Sequence, residues 1–126
     1  MNRLANFGIS LGFVLVFVVA TGLAGVAIAA DGSEKSVTGT LEDSYCYATM
    51  GAKGPSHKAC AMKCATGGIP VVLIEKGTEK SYIVLPNTNA SPLPDSIIKH
   101  MEDQVTVTGK EYSRNGMNYL VVESVK

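Results

Sequence analysis

Tryptophan is absent from the 126 residues, aromatic side chains make up only 6% of them, and 11 basic side chains are matched by 11 acidic ones. Proteins that bind single-stranded nucleic acids combine base-stacking aromatic side chains with a positively charged groove. The sequence offers neither feature, so its composition argues against a nucleic acid as a partner. It also gives no electrostatic reason to expect binding to an acidic membrane surface.

The common motifs of catalysis are also missing. The sequence contains no nucleophile elbow, no Gly-rich phosphate-binding loop and no metalloprotease helix. Acidic residues occur near predicted strand ends, at Glu42, Asp43, Glu102 and Asp103, but they are scattered along the chain and show no paired-acid pattern. We therefore expect a binding or structural protein rather than an enzyme.

Residues 1–30 have the pattern of a signal peptide. Met1 to Arg3 supplies a short positive start, and the 22 residues from Ile9 to Ala30 carry no charge. The run ends in Ala27-Ile28-Ala29, the small-x-small pattern that precedes signal peptidase cleavage. An uncleaved membrane anchor is the alternative, because a run of this length can span a bilayer. Both interpretations place residues 31–126 outside the cytoplasm, in the periplasm or at the extracytoplasmic face of a membrane.

Residues 31–126 suit one small β-rich domain. Alternating apolar and polar side chains, or short β-branched runs between turns, predict five strands at Val37–Asp43, Val71–Ile74, Ser81–Leu85, Gln104–Lys110 and Met117–Val125. Short helices are predicted at His57–Thr66 and Asp95–Met101. Five strands with a helix between the third and the fourth is the layout of the OB-fold. The predicted fold is therefore all-β, an OB-like five-stranded barrel with a short Cys-bearing helix between strands 1 and 2.

Both ends of this domain carry a resemblance to known proteins. The opening stretch Val37–Asp43, VTGTLED, and the closing stretch Val105–Lys126, VTVTGKEYSRNGMNYLVVESVK, resemble small exported bacterial OB-fold-like proteins with a Cys/His-bearing helical insert. The resemblance implies the fold only, because one fold serves many functions.

The chemically reactive side chains are concentrated in one segment. It contains all three cysteines and one of the two histidines, in the order Cys46-x10-His57-x2-Cys60-x3-Cys64. On a helix that turns about 100° per residue, His57, Cys60 and Cys64 project within about 60° of one another. We expect Cys46, at the end of the first strand, to face this stripe across a Gly-containing loop.

A Cys3His set is a common tetrahedral ligand set for zinc, and thiolates also suit copper(I). The first hypothesis is therefore an exported protein that holds zinc or copper through Cys46, His57, Cys60 and Cys64. Met50 and Met62 could add thioethers for copper. Haem is disfavoured because the Cys-x-x-Cys-His attachment motif is absent. Asp43 is expected to be a surface acid at a strand end rather than a carboxylate that orients His57.

Two alternatives stay open. Cysteines of exported domains commonly form disulfides, and Cys46 would pair with Cys60 or Cys64, leaving one thiol over. A Cys60–Cys64 bond within a helix is disfavoured, because Cβ atoms at this spacing lie about 5–6 Å apart. The chain would then be a thiol–disulfide redox protein, linked to another exported or membrane protein as partner, or a structural subunit of an envelope complex. Contact with a membrane is expected only through an uncleaved N-terminal segment.

Overall fold

The computed structural model describes residues 32–126 and forms them into five strands and three short helices. In chain order they are β1 (Ser33–Asp43), α1 (Ser44–Met50), α2 (Lys58–Thr66), β2 (Val71–Glu75), β3 (Ser81–Leu85), α3 (Asp95–Ile98), β4 (Gln104–Arg114) and β5 (Met117–Val125). The predicted signal peptide, residues 1–30, lies outside the described residues, so export stays a prediction. Among residues 32–126, none of the helices has the length and apolar character needed to cross a membrane.

The five strands close into a barrel with the order β1-β2-β3-β5-β4. The long strand β1 joins two neighbours, because residues 33–40 pair with β4 and residues 39–43 pair with β2. Parallel pairing of β3 with β5 closes the other side. These findings confirm the predicted all-β, OB-like five-stranded barrel.

Strand alternation builds the barrel interior, as the sequence pattern predicted. The buried core includes Val37 and Leu41 of β1, Val105 and Val107 of β4, and Leu120 of β5. The last hairpin turns at Asn115-Gly116, whose φ angles are 51° and 80°. Positive φ at both central residues is what a type I′ turn requires, and Asn-Gly is the residue pair that most readily adopts it.

The two helices between β1 and β2 form the insert that carries the cysteines. In the helix α2, Ala61 and Ala65 are buried, and these small side chains let the helix approach the barrel closely. The predicted strand-end position of Cys46 is wrong, because β1 ends at Asp43 and Cys46 lies on α1. The helix α1 was not predicted; its start is capped by the Asp43 side chain, and its end is capped by Gly51 at φ 63°.

The helix α3 is shorter than the predicted Asp95–Met101. It ends at Ile98, because Met101 leaves the helical path and forms a parallel bridge with Leu41 of β1. The next residue, Glu102, has φ 66° and donates its backbone N–H to the Leu41 carbonyl at 2.7 Å. This turn brings the segment after α3 against the end of β1.

Gly39 lies where β1 exchanges one neighbouring strand for the other. It pairs with Val105 of β4 and with Glu75 of β2, so the backbone is covered on both edges. A Cβ atom at this position would lie 2.1 Å from the Ile74 carbonyl oxygen. Since no side chain fits that space, the barrel can close here only around a glycine.

We therefore expect Gly39→Ala to lower the free energy of unfolding by about 2–3 kcal/mol, because the new methyl group forces β1 and β2 apart. Urea denaturation followed by circular dichroism measures this loss. The exposed Ser124→Ala on β5 is the control and should change stability by no more than about 0.5 kcal/mol. Equal stability of the two variants would contradict the close approach at Gly39.

Candidate metal centre

The functional side chains converge from four pieces of the chain at the end of β1. They are Asp43 at the end of β1, Cys46 on α1, His57 immediately before α2, Cys60 and Cys64 on α2, and Glu102 after α3. The insert and the turn after α3 both pack against the same strand end, which explains the meeting point.

Asp43 connects the two helices of the insert. It shares the inward face of β1 with Leu41 and is fully buried. Its Oδ1 accepts a hydrogen bond from the backbone N–H of Cys46 at 2.8 Å, and its Oδ2 lies 2.8 Å from His57 Nε2. The expectation of a surface acid is wrong, because strand alternation carries Asp43 into the interior. Asp43 is the carboxylate that orients His57.

The ionised form of Asp43 is favoured despite its burial. Burial by itself would raise the pKa of this carboxyl group, but hydrogen bonds from the Cys46 backbone and from His57 outweigh it and hold the pKa below its ordinary value. An ionised acceptor at Oδ2 favours the His57 tautomer with its proton on Nε2. That tautomer leaves the Nδ1 lone pair available to a metal ion, the usual carboxylate–histidine–metal arrangement.

The ligand atoms of Cys46, His57 and Cys60 all lie within 4.8 Å of one another. This group of two thiols and one imidazole is close enough to hold a metal ion. Its members differ in exposure, since Cys46 is buried, the His57 side chain is 12% accessible, and Cys60 is exposed. The group therefore has one ligand in the interior and one at the surface.

Cys64 belongs to a second group. Its sulfur, that of Cys46 and a carboxylate oxygen of Asp43 lie within 4.8 Å of one another. Cys46 is common to both groups, whereas His57 and Cys64 do not share one among the described residues. The four predicted ligands thus come together around Cys46, but as two overlapping sets rather than one tetrahedron. All three cysteines are free thiols, with no disulfide among residues 32–126.

The environment of Cys46 and Cys64 keeps these two thiols protonated. Burial, a hydrogen bond to Asp43 and the charge of that carboxylate raise the pKa of Cys46 to about 12. Burial and the Asp43 charge also raise the pKa of Cys64. Because a metal binds thiolates, an ion that enters this site must displace protons from sulfur.

Two further acids, which are scattered in the sequence, also lie at this site. Glu42 and Glu102 are both buried, and the carboxyl group of Glu42 faces that of Glu102. Burial and the neighbouring Glu102 raise the pKa of Glu42 to about 8. The Glu102 Oε2 atom accepts a hydrogen bond from the Gly54 N–H at 2.6 Å, which attaches the insert loop to the turn after α3.

The other sulfur and imidazole side chains lie outside these groups. Met50 is exposed on α1, and Met62 packs against the hydrophobic core. His100 pairs with Asp103, with 3.3 Å between Nδ1 and Oδ2. None of the three shares a ligand group with the cysteines among the described residues.

Comparisons with known proteins do not add to this description. No significant match was found for the chain among protein-family models, curated proteins or solved structures.

The difference in exposure predicts an order of thiol reactivity. In the metal-free protein at pH 8, we expect Cys60 to be alkylated first and Cys46 last, because the Cys46 thiol is buried and carries a raised pKa. Peptide mass spectrometry after timed treatment with iodoacetamide gives the three rates. In 8 M urea, the control, the three rates should converge. Fast labelling of Cys46 in the folded protein would contradict the buried position of its thiol.

Proposed function

We propose that this chain is an exported metal-binding protein that holds zinc or copper(I) with Cys46, His57 and Cys60. The observation that carries the proposal is the approach of these three ligand atoms to within 4.8 Å, with the imidazole oriented by a buried carboxylate. A histidine held in one tautomer beside two sulfurs is a typical feature of metal sites.

The ligand types support zinc or copper rather than magnesium or calcium. Thiolates are soft ligands that select zinc and copper(I), and imidazole suits both metals. Zinc commonly takes four ligands, so a zinc ion would draw in Cys64 or a water molecule to complete its shell. Copper(I) is stable with fewer ligands, and the group of Cys46, His57 and Cys60 would then suffice.

The exposure of Cys60 supports a role in carrying or exchanging the ion. A metal bound between a buried Cys46 and an exposed Cys60 can be reached from solvent without unfolding of the barrel. A second exported or membrane protein could therefore deliver or remove the ion through ligand exchange at Cys60. We place this exchange outside the cytoplasm, because residues 1–30 have the pattern of a signal peptide.

A thiol–disulfide redox protein is the second candidate. The observation in its favour is the proximity of the Cys46 sulfur to those of both Cys60 and Cys64, each within 4.8 Å. Exchange with a disulfide of a partner would oxidise two of these thiols to one bond and reduce the partner to two thiols. Equilibration in glutathione buffers distinguishes the two candidate functions. A redox protein should form one intramolecular disulfide at the redox potential found outside the cytoplasm.

We expect the protein, purified without a reductant or a chelator, to bind about one zinc or copper(I) ion per chain. Cys46→Ser and Cys60→Ser should remove most of this binding, because each deletes a sulfur ligand. Asp43→Asn should weaken it about 10- to 100-fold, because it loosens the orientation of His57. Competition titration with a chromophoric chelator measures all of these affinities.

His57→Ala and His100→Ala form a matched pair for this experiment. The first should weaken binding, and the second, which changes the histidine paired with Asp103, should leave it unchanged. Cys64→Ser tests the coordination number, since a loss comparable with that of Cys60→Ser indicates a four-ligand site. Full metal binding by Cys46→Ser or Cys60→Ser would refute the proposed ligand set.

A further inference from the structure

Three buried carboxyl groups, from two segments that are distant in the sequence, come together near the thiols. Glu42 and Asp43 end the strand β1, and Glu102 follows α3 in a turn with positive φ. Glu42 is 3% exposed and Glu102 is 7% exposed, while Asp43 is fully buried. Acidic side chains are almost never buried to this extent unless they are paired or bind a cation.

Hydrogen bonds within the protein satisfy only part of this cluster. Each carboxylate oxygen of Asp43 accepts a hydrogen bond, and Glu102 Oε2 accepts one from the N–H of Gly54. Among the described residues, Glu102 Oε1 and Glu42 Oε2 are buried without any hydrogen-bond partner. Buried carboxyl oxygens are normally satisfied, so these two are left for a proton shared between Glu42 and Glu102 or for a bound cation, and Mn²⁺ titration separates the two.

The unpartnered Glu102 oxygen is directed at the other two ligand atoms. It lies 4.0 Å from His57 Nε2, and the ligand atoms of Asp43, His57 and Glu102 all lie within 4.8 Å of one another. Nearby positive charge is limited, since Lys53 acts on Glu42 only through space and Lys58 is paired with Asp103. A cation at the centre of this group would neutralise the carboxylates of Asp43 and Glu102 and satisfy the free Glu102 oxygen.

We propose that Asp43, His57 and Glu102 form a second metal site, with Glu42 beside it, for a divalent cation that prefers oxygen and imidazole ligands. Two or three carboxylates with one imidazole suit Mn²⁺ or Fe²⁺ better than a soft ion. The site uses no sulfur, so it goes beyond the proposed zinc or copper group. Binding through Nε2 requires the neutral tautomer of His57 with its proton on Nδ1, so the proton moves from Nε2 to Nδ1.

The test uses the full chain with all three cysteines changed to serine, which removes the soft ligands but leaves the carboxylates. Titration with Mn²⁺, followed by the loss of the electron paramagnetic resonance signal of the free ion, should show about one bound ion per chain. Glu102→Gln in this background should weaken binding at least about tenfold. Its amide oxygen can still accept the Gly54 N–H, so the fold is preserved.

Two further variants keep the result interpretable. Glu42→Gln should weaken Mn²⁺ binding less than Glu102→Gln, and the exposed Glu123→Gln on β5 should have no effect. Thermal unfolding of each variant verifies that it is folded. The proposal is overturned if the folded serine variant binds no Mn²⁺ at millimolar concentration, or if Glu102→Gln binds it as tightly as the Glu123→Gln control. Zinc and copper titration of the wild-type chain is a separate measurement, so failure of either site can be told from failure of the other.

Discussion

The buried carboxylate of Asp43 is the interaction on which the arrangement of the site depends. One oxygen caps the helix that carries Cys46, and the other fixes the imidazole of His57 before the helix that carries Cys60 and Cys64. Removal of a buried hydrogen-bonding partner typically costs about 1–3 kcal/mol, and more where charge is involved. A single side chain of the barrel therefore forms hydrogen bonds to both helices of the insert.

The barrel itself could be predicted because its signals are local. Alternation along β4, the Asn115-Gly116 turn and the β-branched run at Val71 each specify a structure within a few residues. The same alternation also contained the position of Asp43, which follows Val37, Gly39 and Leu41 at a spacing of two on the inward face. That signal was outweighed by the general rule that strand-end acids are exposed, although the rule fails where a strand runs directly into a capped helix.

The contents of the site were only partly predictable. Helical spacing correctly brought Cys60 and Cys64 towards Cys46, but it could not show that His57, which precedes the helix, would share a group with Cys60 and not with Cys64. The pairing of Glu42 with Glu102 is a contact between residues 60 positions apart. It depends on the bridge between Leu41 and Met101 and on the positive φ of Glu102, and neither has a recognisable local pattern.

The position of His57 between sulfur ligands and oxygen ligands gives one side chain control over both. With its Nε2 proton donated to Asp43, the ring keeps the Nδ1 lone pair free for a metal ion. A cation bound at Nε2 among the carboxylates would move that proton to Nδ1 and remove the Nδ1 lone pair. A neutral imidazole offers only one lone pair, so two ions can use the ring together only if it is deprotonated. If both proposed sites bind an ion, occupation of one must therefore alter the affinity of the other.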